Sequence, residues 1–365
     1  MRFLLFLLFP FALLYGLVAY LRNKCYDWGI FQSTSFDFPV ISIGNLSMGG
    51  TGKTPHVENL VRLLSDQYNV AMLSRGYKRK SKGFVLAGPD STSADVGDEP
   101  LQVKKKFENI TVAADRDRVR GINKIMEQMP DTDVILLDDA FQHRAVKPGL
   151  SILLTDFHKL YPEDYPFPVG SLREFRKGAR RADIIVVTKT PKVLSPITVR
   201  RLTGLIKPRE HQKLYFSTIR YGELTPLPGL DLEVPESSIS SILLFAGIAN
   251  MYPLQDHVSK MCNHLFQHKY GDHHKFTRSD YHRIRRKFEV IFTQNKIIVT
   301  TEKDAMRIAF PKIPEELEGL PIYYIPIQTR IHKEFRKDFN DQIRTYVREN
   351  TGDSRIHQKE NKFQS

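Results

Sequence analysis

Val40-Ile41-Ser42-Ile43-Gly44-Asn45-Leu46-Ser47-Met48-Gly49-Gly50-Thr51-Gly52-Lys53-Thr54-Pro55 is the stretch on which the reading of this chain turns. The apolar residues 40–43 read as a buried strand, and a glycine-rich turn follows. Beyond the turn, Val57, Leu60, Val61 and Leu64 recur at helical spacing and make one apolar face. Pro55 suits a first helical turn, where its missing N–H has no intrahelical partner. Strand, glycine loop, Lys-Thr and helix form the context of a phosphate-binding P-loop.

The chemistry follows from the parts. Gly49, Gly50 and Gly52 let the backbone turn successive N–H groups toward one anion. The helix N-terminus adds partial positive charge. Lys53 can reach the β- and γ-phosphates, and the Thr54 hydroxyl can hold Mg²⁺. Residues Ser47, Met48, Gly49, Gly50, Thr51, Gly52, Lys53 and Thr54 are therefore the expected nucleotide cradle. The usual pattern GxxxxGK[ST] has its first glycine where this chain has Ser47. The competing reading is a glycine turn beside a surface lysine.

The chain has 365 residues, enough for two domains, and 41% hydrophobic content supports a real core. Its formal net charge of +13 points to an anionic partner: a nucleotide, a nucleic acid or a membrane surface. Cys25 and Cys262 are far apart and form neither CxxC nor a disulfide framework, which fits a reducing cytoplasm. Residues 3–20 are almost wholly apolar, with Arg22 and Lys24 just beyond. This run is near the lower limit for a membrane span, and its basic flank suits the cytoplasmic leaflet. A cleaved signal peptide lacks a convincing cleavage site here. Spanning and lying in the interface both stay open, and a buried docking helix is the alternative.

Downstream, Val70–Ser74 reads as a strand running into Arg75-Gly76-Tyr77-Lys78-Arg79-Lys80, a basic loop on the ligand side of an open α/β sheet. Gly97-Asp98-Glu99-Pro100 closes a polar stretch. Asp98 could cap a helix, with Pro100 in its first turn. Alternatively, it could be the general base that a phosphotransferase needs for a hydroxyl nucleophile. Asp115-Arg116-Asp117-Arg118 reads as a surface salt-bridge set, with phosphate contact by Arg116 or Arg118 as the other option. Val134-Ile135-Leu136-Leu137-Asp138-Asp139 has the form of a Walker B strand, whose terminal carboxylates face Mg²⁺. Its spacing does not rank Asp138 over Asp139. Residues 150–155 and 184–188 read as strands. The intervening segment 172–181, with five basic residues and one acid, faces an anion or forms an amphipathic surface helix.

Residues 222–237, with Pro226, Pro228 and Pro235, read as a linker. A second, smaller α/β unit is expected over 238–350, with strands near 241–245, 296–300 and 323–326 and helices over 253–267 and 332–346. Gly271-Asp272-His273-His274 reads as a polar turn or as an acid/base pair. Adjacent histidines point apart in a strand, which argues against joint metal binding. Thr301-Glu302-Lys303-Asp304-Ala305 opens a helix at a strand end. The polar tail 351–365 is expected to be disordered.

Taken in order, these motifs resemble the tetraacyldisaccharide 4′-kinase family. The matching pieces are Gly44-Asn45, the Gly49–Pro55 loop, Ser74-Arg75-Gly76-Tyr77, Gly97-Asp98-Glu99-Pro100 and Asp138-Asp139-Ala140-Phe141-Gln142-His143. Leu172-Arg173-Glu174, Phe245-Ala246-Gly247-Ile248, Asp272-His273-His274 and Thr301-Glu302-Lys303-Asp304-Ala305 complete the set. Singly most are weak; the ordered set is specific and spans about residues 1–310. Family members carry Ser- or Thr-like residues where Ser47 stands, whereas Phe175 replaces a usual proline.

The resemblance implies an α/β fold: a P-loop NTPase-like, mostly parallel sheet with helices on both faces (37–221), a hinge, a smaller C-terminal α/β domain, and a membrane-associated N-terminal helix (1–24). It implies transfer of the ATP γ-phosphoryl group to the 4′-hydroxyl of a tetraacylated glucosamine disaccharide 1-phosphate, a lipid A precursor. The implied place is the cytoplasmic face of the bacterial inner membrane. Asp98 would be the base, His273 its partner, and Lys53 the phosphate-binding lysine. Thr54, Glu99, Asp138 and Asp139 would serve Mg²⁺; Arg75, Tyr77, Arg173 and Gln142 would face nucleotide or acceptor. Nucleic acid is not an expected partner, since no recognition module accompanies the dispersed basic residues. The alternative function is a membrane-associated P-loop NTPase switch or metallochaperone.

Overall fold

The computed structural model describes residues 2–235, 238–272, 274–310 and 312–363, with 2–7 and 352–363 described by backbone alone. In chain order its first part comprises α1 (Arg2–Asp27), β1 (Val40–Asn45), α2 (Lys53–Leu64), β2 (Val70–Ser74), β3 (Val85–Leu86), α3 (Ser93–Val96) and α4 (Asp98–Lys106). Next come β4 (Thr111–Ala114), α5 (Arg118–Gln128), β5 (Val134–Asp138), β6 (Leu150–Asp156), β7 (Ile184–Thr188), α6 (Pro196–Ile206) and β8 (Lys213–Tyr221). The remainder is β9 (Thr225–Pro226), β10 (Ile239–Ala246), α7 (Tyr252–Val258), β11 (Cys262–Lys269), α8 (Arg278–Glu289), β12 (Lys296–Thr301), α9 (Glu302–Ala309), β13 (Ile322–Ile325), β14 (Ile327–Ile331) and α10 (Lys333–Phe363).

The large sheet has the order β14-β8-β7-β6-β1-β5-β2-β4-β3. Its edge strands β14 and β3 run antiparallel to their neighbours, and the strands between them are parallel. Parallel strands covered on both faces read as continuous apolar runs, which is why β1, β2, β5 and β7 stand out in the sequence. Their side chains alternate between faces. Ile41 and Ile43 pack with Val57, Leu60 and Val61 of α2, together with Phe339 and Ile343 of α10. Val40, Leu73 and Leu137 pack on the other face with Ile122 and Ile125 of α5. The second sheet, β11-β10-β12-β13-β9, is parallel except for β9 and lies between α8 and α9 on one face and α7 on the other.

Several expectations change. The second unit does not run to residue 350: after β13 the chain returns, β14 pairs with β8, and α10 packs on the large sheet. A half-exposed strand directly behind Pro326 hid this crossing. The expected linker is partly structured, because Thr225 and Pro226 pair with Tyr324 and Tyr323 as an edge strand, where proline is tolerated. The helix expected over 253–267 is two elements: α7 ends at Val258, and β11 follows. Residues 262–269 line up beside β10, so sheet pairing overrides an apolar spacing compatible with a helix. The backbone of 333–363 is helical as α10.

Helix α1 docks beside the P-loop domain. Gly16 lies under Phe175, so closely that a Cβ there would sit 2.5 Å from the ring. Asn23 Nδ2 donates to Glu174 Oε2 at 2.6 Å, and Arg144 pairs with Asp27 at 2.9 Å. The opposite side exposes Phe11, Leu13, Leu14, Leu17 and Val18. Among the described residues, no helix is long and apolar enough to cross a membrane.

Candidate active site

The loop between β1 and α2 is shaped by left-handed glycines, with φ of +114° at Gly49 and +85° at Gly52. Gly52 is the N-cap of α2, so Lys53 and Thr54 occupy the first turn of the helix. Asn45 Nδ2 braces the loop by donating to Thr51 Oγ1 at 2.9 Å. A neighbouring segment supports its start: Met48 N–H donates to Ser171 O at 2.6 Å, and Arg173 N–H to Leu46 O at 2.7 Å. Ser47 bridges Leu172 in the same way. Of the expected cradle, Ser47, Met48 and Thr51 thus serve largely to build the loop. Lys189, just past β7 and itself at φ +57°, donates to Gly50 O and to Asp156 Oδ2.

His56 fixes the loop from beneath. It is buried, with Nδ1 donating to Gly52 O at 2.7 Å and Nε2 accepting from Ser217 Oγ at 2.9 Å. Burial pushes its pKa down to about 4, against the backbone bond that pulls it up. The folded value lies below the ordinary 6.5, so the native protein resists protonation. The stability this group contributes is complete above about pH 6.5 and is lost as pH falls through 4, to a total of roughly 3 kcal/mol. Replacing His56→Gln removes this titration. Urea unfolding at pH 7 and pH 4.5 should show the wild-type advantage over the variant shrinking at the lower pH; a constant difference would count against it.

The carboxylates after β5 are separated by environment. Asp138 is buried; burial first, then the charges of Asp139 and Glu99, push its pKa up to about 7. Its Oδ1 is buried without a hydrogen-bond partner. Asp139 adopts φ +47° and turns toward cations: Lys53 Nζ lies 3.8 Å from Oδ1, and Arg173 forks onto both oxygens at 2.9 and 3.3 Å. Burial would raise its pKa, but Lys53 and Arg173 outweigh this and hold it low. Gln142 joins the cluster, donating to Asn45 O at 2.8 Å and accepting from Arg173 at 3.3 Å. Arg118 is not a surface residue. It is 1% exposed and donates to the carbonyls of Asp115 and Asp138, while Asp115 pairs with Arg120.

Asp98 and Glu99 begin α4, but Gly97, at φ +96°, is the N-cap and Asp98 is not. A Cβ on Gly97 would lie 3.1 Å from Gly76 Cα, so this loop and the loop after β2 meet backbone to backbone. Arg75 and Tyr77, on either side of Gly76, are both exposed. Facing α4 stands α9 of the second sheet. Arg307 donates to Asp98 Oδ2, and Lys303 pairs with Glu99 at 3.1 Å. His273, the expected partner of Asp98, lies outside the described residues. Asn45, Glu174, Lys189 and Arg307 escaped the sequence reading as site residues. Glu174 is buried and accepts from Asn23, Gln142 and Arg181.

The donor set can be tested against a divalent cation. Among the described residues, no three His, Cys, Asp or Glu side chains converge as a self-sufficient site. Mg²⁺ typically takes one or two carboxylates and fills the rest with water and substrate phosphates. The orphaned Oδ1 of Asp138, at a strand end beside the P-loop helix, is the oxygen such an ion would satisfy.

Comparisons with known proteins place the whole chain. Residues 4–344 match the family model described as LpxK, tetraacyldisaccharide-1-P 4′-kinase. A tetraacyldisaccharide 4′-kinase of Bacteroides thetaiotaomicron is 46% identical, over 98% of this chain and 97% of that protein. One of Phocaeicola vulgatus is 45% identical, over 95% and 96%. The crystal structure of LpxK from Aquifex aeolicus in complex with ATP superposes with a TM-score of 0.71 at 26% identity, covering 94% of this chain and 99% of that one. The chain belongs to the tetraacyldisaccharide-1-P 4′-kinase family.

Proposed function

We propose that the protein transfers the γ-phosphoryl group of ATP to the 4′-hydroxyl of a tetraacyldisaccharide 1-phosphate. The observation that carries this reading is the P-loop lysine 3.8 Å from Asp139, next to Asp138, whose buried carboxyl also feels the charge of Glu99, in a chain of this family. In the reaction, the 4′-oxygen bonds to γ-phosphorus, the bond from γ-phosphorus to the β–γ bridging oxygen breaks, and ADP leaves. Asp98 accepts the hydroxyl proton. Lys53 meets the β- and γ-phosphates, and Arg173 steadies Asp139 beside it. Mg²⁺, held by Asp138, Thr54 and phosphate oxygens with Asp139 and Glu99 nearby, would neutralise charge building on the phosphates. His273 is proposed to assist Asp98, and Arg75 and Tyr77 to meet substrate phosphate or sugar. A lipid whose 4′-hydroxyl is capped as a methyl ether should accept no phosphate; transfer to it at the rate of the native lipid would overturn the assignment.

The acceptor is an amphiphile, and α1 offers it a place. Its exposed Leu14, Leu17 and Val18 lie on a helix docked against the active-site segment at Glu174 and Phe175. We propose that this face rests in the cytoplasmic leaflet of the inner membrane without spanning it. Replacing Leu14, Leu17 and Val18 together by glutamate should move the protein from sedimented membranes to the supernatant. Unchanged partition would contradict the anchor.

A further inference from the structure

We infer that Arg307 is a positioning residue for Asp98, through which the second domain sets the geometry of the proposed base. The inference rests on the reading of Asp98 given above. Arg307 sits on α9 with a side chain only 10% exposed. Its Nε and Nη2 donate to the same oxygen of Asp98, Oδ2, at 2.9 and 2.7 Å. Its remaining terminal nitrogen, Nη1, donates to Asp304 Oδ1 at 3.0 Å. The guanidinium is therefore clamped between a carboxylate of α4 and a carboxylate one turn back on its own helix.

Asp304 is itself immobilised. It is fully buried, and its Oδ2 accepts from Gly247 N–H at 2.8 Å and from Thr301 Oγ1 at 2.7 Å. Thr301 Oγ1 in turn accepts from Asp304 N–H at 3.1 Å. A continuous chain of short bonds thus runs from the ends of β10 and β12 through Asp304 and Arg307 to Asp98. Each link is charged, partly or fully desolvated, and directional, and Arg presents its donors in a rigid fork that Lys lacks. A general base contributes through geometry as well as basicity, and a displacement of about 1 Å can cost about 10²-fold in rate. Holding two domains together does not by itself require this residue. Lys303–Glu99 and Lys106–Glu302 bridge the same interface at 3.1 and 2.6 Å through other carboxylates.

Steady-state kinetics on the full-length protein separate these roles. Arg307→Ala should lower kcat by about 10–100-fold with the KM for ATP within about threefold of wild type, and Arg307→Lys should recover part of the loss. In an Asp98→Ala background, Arg307→Ala should cost less than about threefold more, because a residue acting through Asp98 has nothing left to position. ATP-dependent elevation of Tm checks that each variant is folded, and Arg307→Gln replaces the alanine variant should that one fail. A kcat within threefold of wild type for Arg307→Ala, with Asp98→Ala inactive, overturns the inference and leaves the base intact. An undiminished Arg307→Ala loss on top of Asp98→Ala shows mere domain adhesion and overturns it as well. Near-normal turnover of Asp98→Ala removes the base reading and this inference together.

Discussion

Asp98→Ala is expected to lower kcat by about 10²–10⁴-fold while leaving the KM for ATP within about threefold, because a general base acts in the transition state and not on bound nucleotide. The geometry supports the split. Asp98 begins α4, held by the backbone contact of Gly97 with Gly76 and by Arg307 across the domain interface. The P-loop is built from a different set, Asn45 on Thr51, Ser171 on Met48 and His56 on Gly52, none of which touches Asp98. Loss of one carboxyl from α4 should therefore leave the nucleotide cradle intact. Initial rates with ATP varied at saturating lipid check this. Turnover within threefold of wild type, a barrier change well under 1 kcal/mol, would show that Asp98 is not the base.

Lys53→Ala should behave differently, with kcat falling by roughly 10²–10³-fold and the KM for ATP rising as well. Lys53 opens α2 with its ammonium 3.8 Å from Asp139. With Arg173 and Arg118 it is one of three cations that hold the Asp139 pKa down against burial. Removing it withdraws a charge from bound phosphates in both ground and transition states and leaves the Asp138–Asp139 pair less compensated. Isothermal titration with a non-hydrolysable ATP analogue, set beside turnover, checks both halves. A variant that binds nucleotide like wild type and turns over at a similar rate would show that the lysine serves only the loop.

The parts of this protein legible in its sequence share a physical cause. Strands β1, β2, β5 and β7 are buried on both faces, so they appear as unbroken apolar runs, and the motifs at their ends could be placed on a crevice. Where burial is one-sided, the signal weakened. Strand β14 alternates exposed and buried residues directly behind Pro326, and β11 is an edge strand whose spacing also suits a helix. Asp138 and Asp139 were indistinguishable as letters. Three-dimensional surroundings separate them: one carboxylate is buried with an orphaned oxygen, and the other is turned onto Lys53 and Arg173. Arg118 read as a surface charge because nothing local shows that the Asp138 carbonyl reaches it. Arg307 carried no signal at all, because its partner lies 209 residues away in sequence and the contact exists only once two domains meet.

The central claim is phosphoryl transfer to a lipid hydroxyl, and the direct test is to follow the γ-phosphate. The protein is incubated with γ-labelled ATP, Mg²⁺ and tetraacyldisaccharide 1-phosphate in detergent micelles, and lipid is separated from nucleotide and inorganic phosphate. Label should appear on the lipid in step with ADP, and about 10²–10⁴-fold more slowly with Asp98→Ala. Label appearing only as inorganic phosphate, with the lipid unchanged while ATP is consumed, would contradict the account.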